Sequence, residues 1–445
     1  MSREINFKEI NRLAIPAIFA GIVEPLISIT DTAVVGRLPV NPEEALGAVG
    51  LVGSFLSALI WIFLQTSNAI SALVSHAYGQ GKIEKLKNLV SQVFYFNLIV
   101  SLILSGLAYT FAEAIFTVYG AKGILLKMAV DYFQIRVWGF PLTLITFTIF
   151  GVFRGLQNTS IAMRISIVGG VLNAVLDVLL VFVFNFDVVG IAWASLAAQS
   201  VMFLMAMRFL YLKTPFRLFK IFPLHEDFSK TLSMSFDLFL RTLSLNLALF
   251  LAIRFATLLG TEGNNQIVGA HVLLIQIWML SSYLLDGYAH AGSAIAGKLY
   301  GAKEFEKLKY LVKRLVVMML FLGISLMSIY FLFYNSLGKL LTTSSEVLAV
   351  FYSVFWIVAL MQPINSIAFL FDGIYKGLGE TKVLRNLFII ALIVGFLPML
   401  LLGDFLELGL RGIWYSFMLW MMIRSGGLVY HFYKIYIQRA NIIKN

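Results

Sequence analysis

The stretch that decides the fold is LAIPAIFAGIVEPLISITDTAVVGR, residues 13–37. It is apolar and long enough to cross a bilayer, which takes about 20 residues. Glu24 and Asp31 stand seven residues apart, close to two helical turns, so both project from one helix face with Ser28 between them. A charge at membrane depth costs on the order of 3 kcal/mol, and Pro25 disturbs the helix beside it. That face should therefore line a protein cavity; the alternative places Asp31 near the membrane interface.

The whole chain has the composition of a polytopic membrane protein. Of its 445 residues, 60% are hydrophobic and 13% charged, whereas soluble domains carry about 25% charged residues. It has no cysteine, so disulfides, haem attachment and thiolate metal sites are excluded. The apolar runs predict an all-α protein with twelve membrane-spanning helices, at roughly 10–36, 46–77, 88–116, 126–153, 161–185, 188–211, 230–260, 266–299, 307–336, 346–376, 383–403 and 408–434.

The basic residues predict the orientation of these spans. With the N-terminus inside, about 25 Lys and Arg fall on the cytoplasmic side and about 5 outside. Both termini are therefore predicted to be cytoplasmic. The net charge of +11 orients a membrane protein, and we expect no nucleic acid as a partner.

The chain also contains an internal repeat. An offset of 222 residues maps Tyr78-Gly79 onto Tyr300-Gly301, and Pro141 onto Pro363. The same offset maps Gly151, Gly155, Leu156 and Thr159 onto Gly373, Gly377, Leu378 and Thr381. We predict a first lobe over 1–212, a cytoplasmic linker over 213–229 and a second lobe over 230–445. Because each repeat has an even number of spans, the two six-helix lobes should be related by a pseudo-two-fold axis along the membrane normal, as in secondary transporters.

The repeat keeps glycines and prolines but not acids, so the polar chemistry differs between the lobes. In the fifth span Asn173 and Asp177 lie one turn apart, and the sixth span offers Ser195 and Gln199. We predict that Asp31, Asn173, Asp177 and Ser195 form one buried cluster. Two carboxylates at low dielectric cannot both be charged cheaply, so the pair would serve as a proton switch or, with neighbouring oxygens, as a Na⁺ site. The alternative is two separate acids, each satisfied by backbone or water.

In the second lobe, Asp286 and Asp372 are each followed by glycine, and His290 stands four residues after Asp286. A structural histidine is the preferred interpretation of His290, and proton sharing with Asp286 is the alternative. Asp237 and Arg241, one turn apart, are interpreted as an ion pair within one helix. Arg254 in the same span would favour anionic groups if unpaired. No histidine has metal-ligand spacing to carboxylates, and no glycine-rich segment matches a nucleotide-binding loop.

Several of these segments resemble the multidrug and toxic compound extrusion (MATE) transporters. LAIPAIFAGIVEPLISITDTAVVGR resembles their first helix with its embedded acid, here Asp31, and LNAVLD (172–177) resembles their fifth-helix Asn/Asp pair, with Ser195 where a hydroxyl is common. DLFLRT (237–242), LLDGYAHA (284–291) and FDGIYKGLGET (371–381) resemble the DinF-like branch. The resemblance implies an antiporter that exports organic compounds in exchange for H⁺ or Na⁺. Glu24 departs from the pattern, because an amide is expected there.

We therefore expect a transporter and not an enzyme: a proton- or sodium-coupled efflux antiporter, monomeric, in a bacterial cytoplasmic membrane, with small organic substrates and no cofactor beyond the coupling ion. The expected coupling residues are Glu24, Asp31, Asn173, Asp177 and Ser195. The expected polar residues of the second lobe are Arg254, Asp286, His290 and Asp372. The alternatives are a flippase for lipid-linked precursors, an organic-acid exporter and a membrane transferase. The first two would require a basic cavity, for which Arg136, Arg241 and Arg254 are available, and the last a large catalytic loop.

Overall fold

The computed structural model describes residues 6–38, 41–218, 221–260 and 266–438; the side chains of Glu24, Ser28, Ile29 and Gln438 lie outside what it describes. Within those ranges the chain is built from seventeen α-helices: α1 Phe7–Val35, α2 Pro42–Phe63, α3 Gln65–Gly79, α4 Lys87–Thr110, α5 Ala112–Val118, α6 Gly123–Arg136, α7 Gly139–Gly155, α8 Ser160–Val178, α9 Val188–Lys213, α10 Phe228–Leu258, α11 Gln266–Gly301, α12 Phe305–Leu332, α13 Tyr334–Leu341, α14 Ser345–Leu378, α15 Thr381–Ile390, α16 Leu397–Phe405 and α17 Leu410–Phe432. Short π-helical turns extend α8, join α15 to α16 and follow α17.

Helices occupy the positions of all twelve predicted spans. Ten described helical segments are long and apolar enough to cross a membrane, and α6 with α7, bent by 46°, makes one more. α17 occupies the twelfth position. Its mean hydropathy is lower than that of the other spans because it contains Arg424 together with tryptophans, tyrosines and glycines. The prediction of an all-α membrane protein with two six-helix lobes is confirmed.

The chain divides into two compact units near the middle of the sequence. Ile15–Ser235 form one unit; the other comprises the described residues up to Ala14 together with those from Phe236 onward. The first turns of α1 therefore pack in the second unit, where the Tyr288 hydroxyl donates to Asn11 Oδ1 at 3.2 Å. The predicted lobes began and ended at the loops, whereas the observed boundaries fall inside α1 and α10.

The repeated glycines mark one helix contact that occurs in each unit. A Cβ on Gly151 of α7 would lie 2.3 Å from the Ser67 carbonyl oxygen of α3, and one on Gly373 of α14 would lie 2.3 Å from the Ala289 carbonyl oxygen of α11. One turn on, a Cβ on Gly377 would lie 2.1 Å from the Ser293 carbonyl oxygen. Small residues allow membrane helices to approach closely, so the repeat preserves the residues that set helix spacing.

Gly377→Ala should therefore destabilise the second unit strongly. The new methyl group would clash with backbone, which cannot move aside as a flexible side chain can, and overpacking typically costs about 1–3 kcal/mol. Thermal unfolding of the purified protein in detergent should show a lower midpoint. The matched control is Gly106→Ala, since a Cβ at Gly106 of α4 meets nothing within 4 Å. Equal midpoints for the two variants would contradict this packing.

The predicted linker is fastened to the first unit. Ser91 and Tyr95 of α4 donate to the carbonyl oxygens of Arg217 and Leu218 at 3.0 and 2.8 Å. Gln92 donates to the carbonyl oxygen of Ile221 at 2.7 Å and accepts from the His225 amide at 3.0 Å. Buried linker residues such as Phe216 add apolar contact. The described parts of the segment, 213–218 and 221–229, pack on α4.

Candidate functional site: a polar cavity in the first unit

The first unit contains a cavity of about 160 Å³. That is room for several water molecules, since one needs about 10–15 Å³. Most of its wall is apolar. Its polar lining comes from six helices: Asp31 on α1, Ser57 on α2, Tyr132 and Arg136 on α6, Thr143 and Thr146 on α7, Ser166 and Asn173 on α8, and Ser195 and Gln199 on α9.

Asp31 lines this cavity, and Asp177 lies close to it. The two carboxyl groups are near enough to interact directly, and the Asn173 amide donates to Asp177 Oδ2 at 3.1 Å. Asp31 is 4% exposed and Asp177 is fully buried. A hydrogen bond between two carboxyl groups requires a proton on one of them, because ionised carboxylates only accept. One shared proton would therefore hold this pair together.

Two glycines on α8 allow Asp177 to lie close to Asp31. A Cβ on Gly170 would lie 2.7 Å from Val23 Cγ1 of α1, and one on Gly169 would lie 2.2 Å from Met202 Sδ of α9. Without side chains at these positions, α8 approaches both neighbouring helices closely. Asn173 and Asp177 follow within two turns on α8, so the close approach places them beside Asp31.

Arg136 brings a positive charge to the same cavity. It lies close enough to Asp31 and Asp177 for electrostatic interaction, and its guanidinium carbon is 6.0 Å from the centre of the Tyr132 ring. Among the described residues, six buried polar atoms around the cavity have no hydrogen-bond partner: Asp31 Oδ1, Asp177 Oδ1, Ser195 Oγ, Gln199 Oε1, Thr143 Oγ1 and Arg136 Nε. Buried polar atoms are normally paired, so their concentration here indicates a place for exchangeable protons, water or a bound ion.

The second unit holds a separate network of buried charges. Asp372 on α14 accepts from Arg241 Nε and Nη2 at 3.1 and 2.8 Å, and Lys376 forms a second ion pair with it. Arg424 on α17 is 3% exposed and lies 3.7 Å from the Phe388 ring centre. In the described part of the chain, no carboxylate oxygen accepts a hydrogen bond from Arg424; its Nη1 contacts the Met421 sulfur and its Nε is unpaired.

The interpretation of Asp237 and Arg241 as an ion pair within one helix is wrong. Asp237 instead accepts from Arg385 Nη1 at 2.6 Å and from the Thr381 hydroxyl at 2.9 Å. Arg241 is bound to Asp372. A spacing of one turn permits contact, but charged partners on neighbouring helices offered bidentate geometry that the i,i+4 pair lacks.

The structure places the remaining candidates as follows. Glu24 lies on α1, but its side chain is outside the described part. Asp286 and His290 are half-buried on α11, and each has an interaction partner. Asp286 is near enough to Lys376 and Arg424 for electrostatic interaction. Arg254 is exposed on α10, and its predicted role stays a prediction.

Sequence reasoning did not assign Tyr132 and Arg136 to the coupling site. The available signal was an arginine within an apolar span with a tyrosine one turn before it, in DYFQIR. For the second unit it missed Lys376, Arg385 and Arg424 as the partners of the acids.

Comparison with known proteins agrees with this architecture. The MatE family profile matches residues 16–179 and again 238–401. The chain belongs to the MatE family. The two matches start 222 residues apart (238 minus 16), so this MATE repeat has the offset predicted from the sequence.

Two relatives and one solved structure show how far the likeness extends. The chain is 28% identical to Protein DETOXIFICATION 44, chloroplastic, of Arabidopsis thaliana, over 94% of this chain and 80% of the relative. It is 26% identical to DNA damage-inducible protein F of Escherichia coli K12, over 94% and 90%. The crystal structure of the Vibrio cholerae MATE transporter VcmN in the bent form aligns with a TM-score of 0.88 at 20% identity, covering 98% of both chains. The protein is thus a multi-pass membrane transporter of the MATE family and not an enzyme.

Proposed function

We propose that the protein exports small organic molecules in exchange for protons that bind the Asp31–Asp177 pair. The observation that carries this proposal is the contact between the two buried carboxyl groups at the polar cavity. A proton held there can be released when substrate binds, and rebound from the other side of the membrane after substrate leaves. We place the protein in a bacterial inner membrane, as a monomer with both termini cytoplasmic.

The physical basis is the repulsion that appears when the shared proton leaves. Two unit charges at a separation of about 4 Å, for example, repel by about 4 kcal/mol at an effective dielectric of 20. That energy favours either return of a proton or arrival of another positive charge. Substrate and proton can therefore replace one another, which is the requirement for antiport.

Na⁺ is the other candidate coupling ion, because carboxyl, amide and hydroxyl oxygens of Asp31, Asp177, Asn173 and Ser195 surround the cavity. Direct contact between the carboxyl groups favours H⁺, since a metal ion would instead sit between them as a shared ligand centre.

Transport in proteoliposomes with separately imposed gradients tests the coupling ion. We expect a pH gradient alone to drive accumulation of ethidium, and a Na⁺ gradient at constant pH to drive none. Liposomes without protein and a protonophore added during uptake are the controls. Uptake that is driven by Na⁺ and unaffected by the protonophore would show that Na⁺, and not H⁺, is the coupling ion.

One observation favours a second candidate, an exporter of organic anions. Arg424 is a buried cation, and among described residues it has no carboxylate hydrogen-bond partner, although Arg241 and Lys376 lie in the same network. An anionic substrate would supply the missing acceptor. In the liposome assay an organic anion should compete with ethidium only if this candidate is correct, and Arg424→Met should then remove the competition.

A further inference from the structure

Arg136 adds one positive charge to the proton site, so the net charge of the cavity can be counted for each protonation state. The charged and titratable groups that face it are Asp31 from α1, Asp177 from α8 and Tyr132 on its own helix. The polar residues that α2, α7 and α9 present to the cavity are uncharged: Ser57, Thr143, Thr146, Ser195 and Gln199. With one shared proton the cavity is neutral, since one carboxylate balances the guanidinium. Without that proton its net charge is −1.

A second proton would make the cavity positive. Burying an uncompensated charge at low dielectric is costly, so the two carboxyl groups should not both be protonated while Arg136 is present. The same reasoning limits the charge of the substrate. The deprotonated cavity, at −1, is balanced by one positive charge, whereas a dication would leave an excess.

We propose that Arg136 fixes the exchange at one proton for one monovalent organic cation, although the site contains two carboxyl groups. This inference rests on the proton-coupled function proposed above and names its stoichiometry and substrate charge. Exchange of one monovalent cation for another moves no net charge across the membrane. Transport of such a substrate should therefore respond to a pH gradient but not to the membrane potential.

Removing the guanidinium changes the charge that the cavity can balance. In Arg136→Gln the neutral state of the cavity has both carboxyl groups protonated, and full deprotonation leaves a net charge of −2, so two protons can exchange for one dication. The variant should therefore accept dications that the unaltered protein rejects. Arg136→Lys keeps the charge and should keep the one-proton exchange.

The experiment compares these proteins in proteoliposomes that carry either a pH gradient or a K⁺/valinomycin potential at equal pH. Uptake of ethidium, a monocation, should follow the pH gradient alone for the unaltered protein and for Arg136→Lys. Arg136→Gln should gain pH-driven uptake of methyl viologen, a dication, at least fivefold above the unaltered protein. Asp131→Asn, which alters an exposed acid on α6, is the control and should leave both the substrate preference and the potential response unchanged.

Purified protein in weakly buffered detergent gives a second measure. Ethidium binding should release one proton per molecule from the unaltered protein, and methyl viologen binding should release two per molecule from Arg136→Gln, which can be measured even if that variant transports poorly. Equal responses of the two proteins to the dication, in uptake and in proton release, would overturn the inference while leaving proton coupling intact. Loss of pH-driven uptake in the unaltered protein itself would instead refute the proposed function.

Discussion

Asp31→Asn should abolish proton-driven export while leaving the protein folded. The amide has nearly the same shape and can still hydrogen-bond with Asp177, but it cannot bind or release a proton. The exchange then lacks half of its coupling pair, and we expect pH-driven ethidium uptake to fall at least a hundredfold. Uptake in proteoliposomes measures the effect, and thermal unfolding in detergent should show a midpoint close to that of the unaltered protein.

Asp131→Asn is the matched control, because Asp131 is an exposed acid on α6 beside the cavity residue Tyr132. It should transport normally. If Asp31→Asn transports at the normal rate under a pH gradient, Asp31 is not the coupling carboxylate and the proton must be carried elsewhere.

Asp372→Asn should cause the largest loss of stability. The change removes the charge that compensates Arg241 and Lys376, and Asp372 is 1% exposed. Breaking a buried ion pair by removing one partner typically costs about 3–5 kcal/mol, because the remaining charge stays buried without compensation. Thermal unfolding and the yield of monodisperse protein measure the effect.

Asp237→Asn offers a comparison within the same unit. Its partner Arg385 has a side chain that is 27% exposed, so the uncompensated charge can reach solvent and the loss should be smaller. Adding Lys376→Met to Asp372→Asn should recover part of the stability, since one buried charge is then removed. Normal stability with lost transport in Asp372→Asn would assign the residue to transport instead.

The spans and the repeat could be predicted because both depend on local sequence. A run of apolar residues must be helical in a bilayer, and glycines at a fixed offset report close helix contacts that side chains would block. Gly377 is an example: its contact with the Ser293 carbonyl follows from size alone. The meeting of Asp31, Asn173 and Asp177 was predictable for a related reason, since buried polar groups need partners and few are available at membrane depth.

The choice between competing partners could not be predicted. Arg241 had an acid one turn away on its own helix, yet it binds Asp372, which is 131 residues further along the chain. Helical spacing states which contacts are possible, whereas the packing of several helices decides which is best. Arg136 was ambiguous for the same reason, because a lone arginine in an apolar span can serve an anionic substrate as well as a pair of carboxyl groups.

The attachment of the linker to α4 should make the linker resistant to proteolysis. The length and the prolines of the predicted linker would be typical of a flexible connection with large conformational entropy. Side chains of α4 hold Arg217, Leu218, Ile221 and His225 by hydrogen bonds, so the described parts of the segment on both sides cannot extend without breaking them. A protease that needs an extended substrate should therefore find the segment resistant, and substitution of Gln92 should expose it to cleavage before either repeat unfolds.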